Sequence, residues 1–144
     1  MLTTINIERL LKIVDNFGGV FAINRLPLIQ KKQRSLVINL NPSYKEGFHW
    51  VAVYFKRDGS AFYFDSFGRL PEGNVLTLIE RFAPRGYNYS RMKLQNDFSA
   101  SCGYFCILFV LLANRQNRFF DLFEKCKTEK NEKKLMRLIK KFID

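Results

Sequence analysis

Gln95-Asn96-Asp97-Phe98-Ser99-Ala100-Ser101-Cys102-Gly103-Tyr104-Phe105-Cys106-Ile107-Leu108-Phe109-Val110-Leu111-Leu112-Ala113 passes from a polar loop through Cys102-Gly103 into ten consecutive apolar residues, Tyr104 to Ala113. A helix over Cys102 to Ala113 is apolar on every side, as expected of one packed centrally against a sheet and covered by other elements. Its apolar run is about half the length that a bilayer requires, so it predicts a buried helix rather than a membrane span.

The flanking sequence supplies the layers that such a helix needs. Upstream, Ile7, Leu10, Leu11, Val14 and Phe17 have the period of an amphipathic helix, which Gly18-Gly19 is expected to end. Val20 to Ile23 reads as a short extended piece broken at Pro27, and Lys31, Lys32 and Arg34 mark an exposed turn. Ser35 to Asn39, His49 to Phe55 and Ala61 to Phe64 read as strands, the last two joined as a hairpin through Asp58-Gly59. A second helix is predicted from Pro71 through Val75, Leu76, Leu78, Ile79 and Phe82, closing near Pro84 and Gly86. Tyr89 to Leu94 alternates as a strand does, and Asp121 with Glu124 reads as the cap of a following helix. In the tail, Leu135, Leu138, Ile139 and Phe142 share one helical face, with Lys133, Lys134, Arg137, Lys140 and Lys141 around the other. With no linker, repeat or low-complexity tract, residues 1–144 read as one α+β domain. It has a mixed or antiparallel central sheet, a buried helix starting at Cys102, further helices around it, and a basic helical tail over 114–144.

Of the 144 residues, 47% are apolar and 15% aromatic, enough to build a core and to exclude a disordered chain. The start, Met1 to Phe17, carries Glu8 and lacks a basic region or small-residue cleavage site, so no signal peptide is expected and the protein is placed inside the cell. Three cysteines, Cys102, Cys106 and Cys126, are too few and odd in number for a disulfide framework. Lys and Arg total 24 against 13 Asp and Glu, a formal net charge of +11 that attracts polyanions without implying base readout.

Only a few side chains offer chemistry. His49 is the single histidine, at the start of a predicted strand in Gly47-Phe48-His49-Trp50, and a lone histidine there is more often structural than catalytic. Cys102 falls at the N-terminus of the apolar helix, where unsatisfied N–H groups and the helix dipole favour a thiolate, and Gly103 beside it lets a substrate backbone approach. The plainer alternative, a buried cysteine acting as a small hydrophobe, suits Cys106 and Cys126. Asp65 opens the turn Asp65-Ser66-Phe67-Gly68 and alone would be a turn former, but the hairpin could carry its carboxylate to His49. Gln95, seven residues before Cys102, is either a surface amide or an oxyanion donor. One histidine with scattered cysteines lacks zinc-site spacing, so no metal is expected.

The order His49-Trp50, Tyr63-Phe64-Asp65-Ser66-Phe67-Gly68, then Gln95 through Cys102-Gly103-Tyr104-Phe105-Cys106 resembles the adenain family of adenovirus endopeptidases, within the superfamily that includes the ubiquitin-like-protein proteases. Weaker likeness at Gly18-Gly19-Val20-Phe21 and Leu36-Val37-Ile38-Asn39 extends it over roughly residues 17–113. Asp65 stands where adenain has glutamate, and no cysteine lies between Asp65 and Gln95 to tether an activating peptide. The resemblance implies a cysteine endopeptidase of the viral maturation type, acting in the virion or host nucleus. Cys102 would be nucleophile, His49 base, Asp65 orienting acid and Gln95 oxyanion donor, with Trp50 and Gly103 lining a narrow channel that favours cleavage near glycines. It also implies DNA as an activator, with Lys31, Lys32, Arg34, Lys133, Lys134, Arg137, Lys140 and Lys141 as candidate contacts for nucleic acid of any sequence. No other cofactor is expected, and a monomer acting on protein or peptide substrates away from membranes is. The alternatives are an isopeptidase for ubiquitin-like proteins and a non-enzymatic basic protein that coats nucleic acid.

Overall fold

A computed structural model describes residues 2–27, 34–41, 49–113 and 116–143. The first helix, α1, covers only Thr4–Leu11. Thr3 and Asn6 cap its start reciprocally, the Thr3 hydroxyl accepting from the Asn6 backbone N–H and the Asn6 side-chain Oδ1 from the Thr3 N–H. The predicted continuation to Phe17 does not form: Val14 lies in a turn, Asn16 takes φ +63°, and Phe17 opens strand β1 (Phe17–Ala22). Strand pairing overrides the helical period, since β1 runs parallel to β2 (Arg34–Asn39). Gly18-Gly19 marks a shift in that register rather than a helix end. A Cβ on Gly18 would lie 2.4 Å from Leu36 Cδ2 and 2.5 Å from Arg34 Nε, so the glycine leaves the space that these two side chains fill.

Strands β3 (Trp50–Phe55), β4 (Ala61–Phe64) and β5 (Tyr87–Tyr89) complete a five-stranded mixed sheet in spatial order β1-β2-β3-β4-β5. The β2/β3 and β3/β4 pairs are antiparallel and the β4/β5 pair parallel. All of β3 is buried because both faces of the sheet are covered. Trp50, Ala52 and Tyr54 point to one layer, and Val51, Val53 and Phe55 to the other.

The second layer is helix α2 (Gly73–Phe82), which contributes Val75, Leu78 and Ile79. Pro71 precedes this helix instead of lying in its first turn, Glu72 being the capping residue. The first layer holds α1, α3 (Cys102–Leu111), α4 (Gln116–Asp121) and α5 (Thr128–Ile143). Helix α3 is apolar all round and lies where its sequence predicts. Phe109 stacks on Phe64 of the sheet at 4.9 Å and meets Phe119 of α4 edge-on at 5.5 Å.

Two further expectations change. The strand predicted over Tyr89 to Leu94 stops at Tyr89, because the chain peels away to give the Leu94 and Gln95 N–H groups to the Ser66 carbonyl. Asp121 ends α4 and caps nothing after it, while Glu124 instead pairs with Lys130 at 2.8 Å. In α5, Leu135 and Ile139 are fully buried and Leu138 partly so, as the tail's apolar face predicts; the Phe142 side chain lies outside the described part. Among the described residues, no helix is long and apolar enough to cross a membrane.

Candidate active site

The β3–β4 hairpin brings the imidazole to its acid. Ala52 pairs with Phe64 at the end of the register, and the turn that follows Phe64 brings Phe67 against His49. The two rings stack there with centroids 4.8 Å apart. Asp65, 2% exposed, accepts at Oδ1 from His49 Nε2 at 2.8 Å and from the Phe67 N–H at 2.8 Å. The turn closes with the Gly68 N–H on the Asp65 carbonyl. Gly68 has φ +77° and any Cβ would lie 2.9 Å from the Met92 carbonyl carbon, so only glycine turns the chain tightly enough here.

A carboxylate can only accept, so Nε2 is the nitrogen that donates to Asp65, and Nδ1 is the one left to exchange a proton at the site. Nδ1 is buried, with the Cys102 side chain beside the ring. Burial alone would discourage the charged ring. The bond to Asp65 and the adjacent Cys102 outweigh it, and the His49 pKa is pushed up from 6.5 to about 9.

Cys102 is the first residue of α3, and its Sγ accepts from the Trp50 N–H at 3.4 Å. Trp50 follows His49 directly, so the start of β3 presents both the imidazole and a donor to the sulfur. The close approach that Gly103 allows is taken within the chain by Leu2 and Trp50, whose side chains would lie 2.8 and 3.2 Å from a Cβ there. Cys106, one turn further, is wholly buried, and burial pushes its thiol well above its ordinary range, with Cys102 and Asp65 adding to the effect.

Gln95 is 1% exposed. Its Oε1 accepts from Ser66 Oγ at 2.5 Å and its Nε2 donates to the Ser99 carbonyl at 2.8 Å. Consecutive residues of one turn therefore hold two separate site groups: Asp65 takes the imidazole and Ser66 the carboxamide. Three contributors escape the sequence reading, namely the Ser66 hydroxyl, the Trp50 N–H, and Glu132 of α5, which accepts from the Ser99 and Ser101 hydroxyls. Ser66 lies within the Asp65-to-Gly68 turn and could have been singled out there. Nothing local marks the other two.

The basic residues group differently. Lys133, Arg137, Lys140 and Lys141 are exposed on α5 and Lys134 is half-buried, with Lys133 3.2 Å from Glu129. Arg34 opens β2 with its side chain over Gly18, while Lys31 and Lys32 lie outside the described residues. Among the described residues, no group of His, Cys, Asp and Glu has the arrangement to hold a metal ion.

Two crystal structures of the ASFV pS273R protease are similar to this chain. One superposes with a TM-score of 0.62 at 15% identity, covering 94% of this chain and 64% of that protease. The other, of the selenomethionine protein, gives 0.54 at 19% identity, covering 74% and 42%. The chain thus has the fold of a protease while spanning less than two thirds of its length. No family model and no curated protein matches the sequence.

Proposed function

We propose that the protein is a cysteine endopeptidase of the adenain type that processes precursor proteins. The observation that carries this reading is the Asp65–His49 bond at 2.8 Å, with the second imidazole nitrogen buried and the Cys102 side chain beside the ring. In the reaction, the His49 imidazolium holds the Cys102 thiolate as an ion pair, and the thiolate attacks a peptide carbonyl. The imidazolium, held charged by Asp65, then protonates the leaving amine. Water enters next: His49 takes its proton, the hydroxide attacks the acyl carbon, the C–S bond breaks, and the carboxylic acid leaves with the thiolate–imidazolium pair restored. The Cys102 N–H and the second Gln95 Nε2–H face the oxyanion, where one donor is typically worth about 2.7–4 kcal/mol. Trp50 borders the substrate channel, Gly103 being packed behind it against Leu2 and Trp50, and cleavage falls near glycines because larger residues do not pass the channel. DNA is the activator in this reading, held by the basic face of α5.

A peptidase assay with Gly-containing peptides, run beside a thiol-directed probe, tests it. Cys102→Ala and His49→Ala should each abolish cleavage, the double variant losing little more because nucleophile and base act as one unit. The probe should label Cys102 far faster than Cys106 or Cys126. Substantial cleavage by Cys102→Ala would overturn the assignment.

A further inference from the structure

The C-terminal helix grips the loop that leads to Cys102 at both ends, using two consecutive residues. Asn131, 2% exposed, donates from Nδ2 to the carbonyls of Leu94 at 3.4 Å and Glu124 at 2.7 Å, and accepts from the Glu124 N–H. Its neighbour Glu132 receives, on Oε1, the hydroxyl of Ser101 at 2.6 Å and that of Ser99. The first contact adjoins Gln95 and the second adjoins Cys102. The Cys126 N–H on the Lys93 carbonyl at 2.9 Å docks the same loop a third time.

Ser101 is the capping residue of α3, yet it does not cap. A serine there usually has an extended backbone and accepts from an N–H in the first turn. Ser101 instead has φ −86° and ψ −2°, makes no such bond, and turns its hydroxyl to Glu132. The Ser101 hydroxyl thereby ties the residue before Cys102 to α5 instead of closing the first turn of α3. Ser99 carries the same contact to Gln95, since its carbonyl holds Gln95 Nε2 while its hydroxyl is on Glu132.

We propose that Glu132 is a positioning residue for the Cys102 centre, holding the Ser99 and Ser101 hydroxyls so that the turn before Cys102 stays in place and the Gln95 carboxamide, bound to the Ser99 carbonyl, stays aimed. The inference rests on the protease reading of Cys102 and adds α5 to its machinery, where the sequence shows only a charged helix face. Glu132 touches no reacting atom; it acts through two serines.

The experiment compares Glu132→Ala with Glu132→Gln, each rate normalised to active sites by thiol titration. Glu132→Ala should lower kcat about tenfold or more with KM within about twofold, because a misplaced oxyanion donor is felt in the transition state and not in substrate binding. Glu132→Gln should recover most of kcat, since its amide oxygen still accepts both hydroxyls. Alkylation of Cys102 should stay within about threefold of wild type, the His49–Asp65 pair being untouched. Full turnover in Glu132→Ala, a change confined to KM, or a Gln variant as impaired as Ala would overturn the proposal. Should Glu132→Ala fail to fold, Ser101→Ala takes its place, and full turnover there also overturns it. If the wild-type chain cleaves nothing, the protease reading fails by itself. Amide exchange at Cys102 to Tyr104 then tests the clamp: a rise of about tenfold in Glu132→Ala supports it and no change overturns it.

Discussion

Replacing Asp65 by Asn removes the charge that keeps His49 protonated while leaving the side chain's shape nearly unchanged. In the intact site burial favours the neutral ring, yet the pKa stands at about 9 against an ordinary 6.5, so Asp65 and Cys102 more than offset the desolvation. The net preference for imidazolium is about 3 kcal/mol, at 1.36 kcal/mol per pH unit. An opposite charge in contact shifts a pKa by about 1–3 units, so His49 in Asp65→Asn should titrate lower by that amount and turnover should fall with it. His49 is the only histidine in the chain, so an NMR titration of imidazole resonances follows one ring without assignment. Folding raises this pKa, so the stability it contributes is complete below pH 6.5 and is lost as the pH climbs through about 9. Urea unfolding across that window should show wild type losing stability more steeply with pH than Asp65→Asn. A wild-type imidazole titrating near 6.5, or one unmoved by Asp65→Asn, would refute the electrostatic role assigned to Asp65.

Gln95→Ala should lower kcat by about 100-fold with KM nearly unchanged, as expected for one oxyanion donor, and a rise in KM alone would move Gln95 from catalysis to substrate contact. Binding to duplex DNA should weaken steeply with salt and barely depend on sequence, and neutralising Lys133, Lys134, Arg137, Lys140 and Lys141 should flatten that salt slope while Cys102 reactivity is retained. No binding at low salt would leave the net charge of +11 as a solubility feature.

The elements legible in the sequence are those whose signals are local or periodic. The apolar run after Cys102 could only be a covered helix, and the β3–β4 hairpin is announced by Asp58-Gly59, whose Asp58 carboxylate takes the Ser60 N–H at 2.9 Å while Gly59 supplies φ +90°. Val14 and Phe17 mislead because both pack on the same core from a turn and a strand start as readily as from a helix. Periodicity records which residues are buried, not the element that buries them. Pairing with β2, a non-local contact, decides that Phe17–Ala22 is a strand. The run to Leu94 misleads for the same reason, Leu94 being fully buried in the first core layer after the chain has left the sheet.

For the site, the single histidine His49 and the helix-start Cys102 stand out by residue type and place, while Asp65 and Gln95 are ordinary by themselves and gain roles only through the resemblance that the order of all four carries. Their geometry belongs to the tertiary structure. The β3/β4 register brings Asp65 to Nε2, the Ser66 carbonyl draws Leu94 and Gln95 across the turn, and α5 sets Glu132 against Ser99 and Ser101. Each is a contact between residues 16 to 33 positions apart, formed between groups that look ordinary in their own surroundings. A glutamate on a basic helix and a serine before a cysteine acquire their roles only when the sheet and the last helix close around the loop between them.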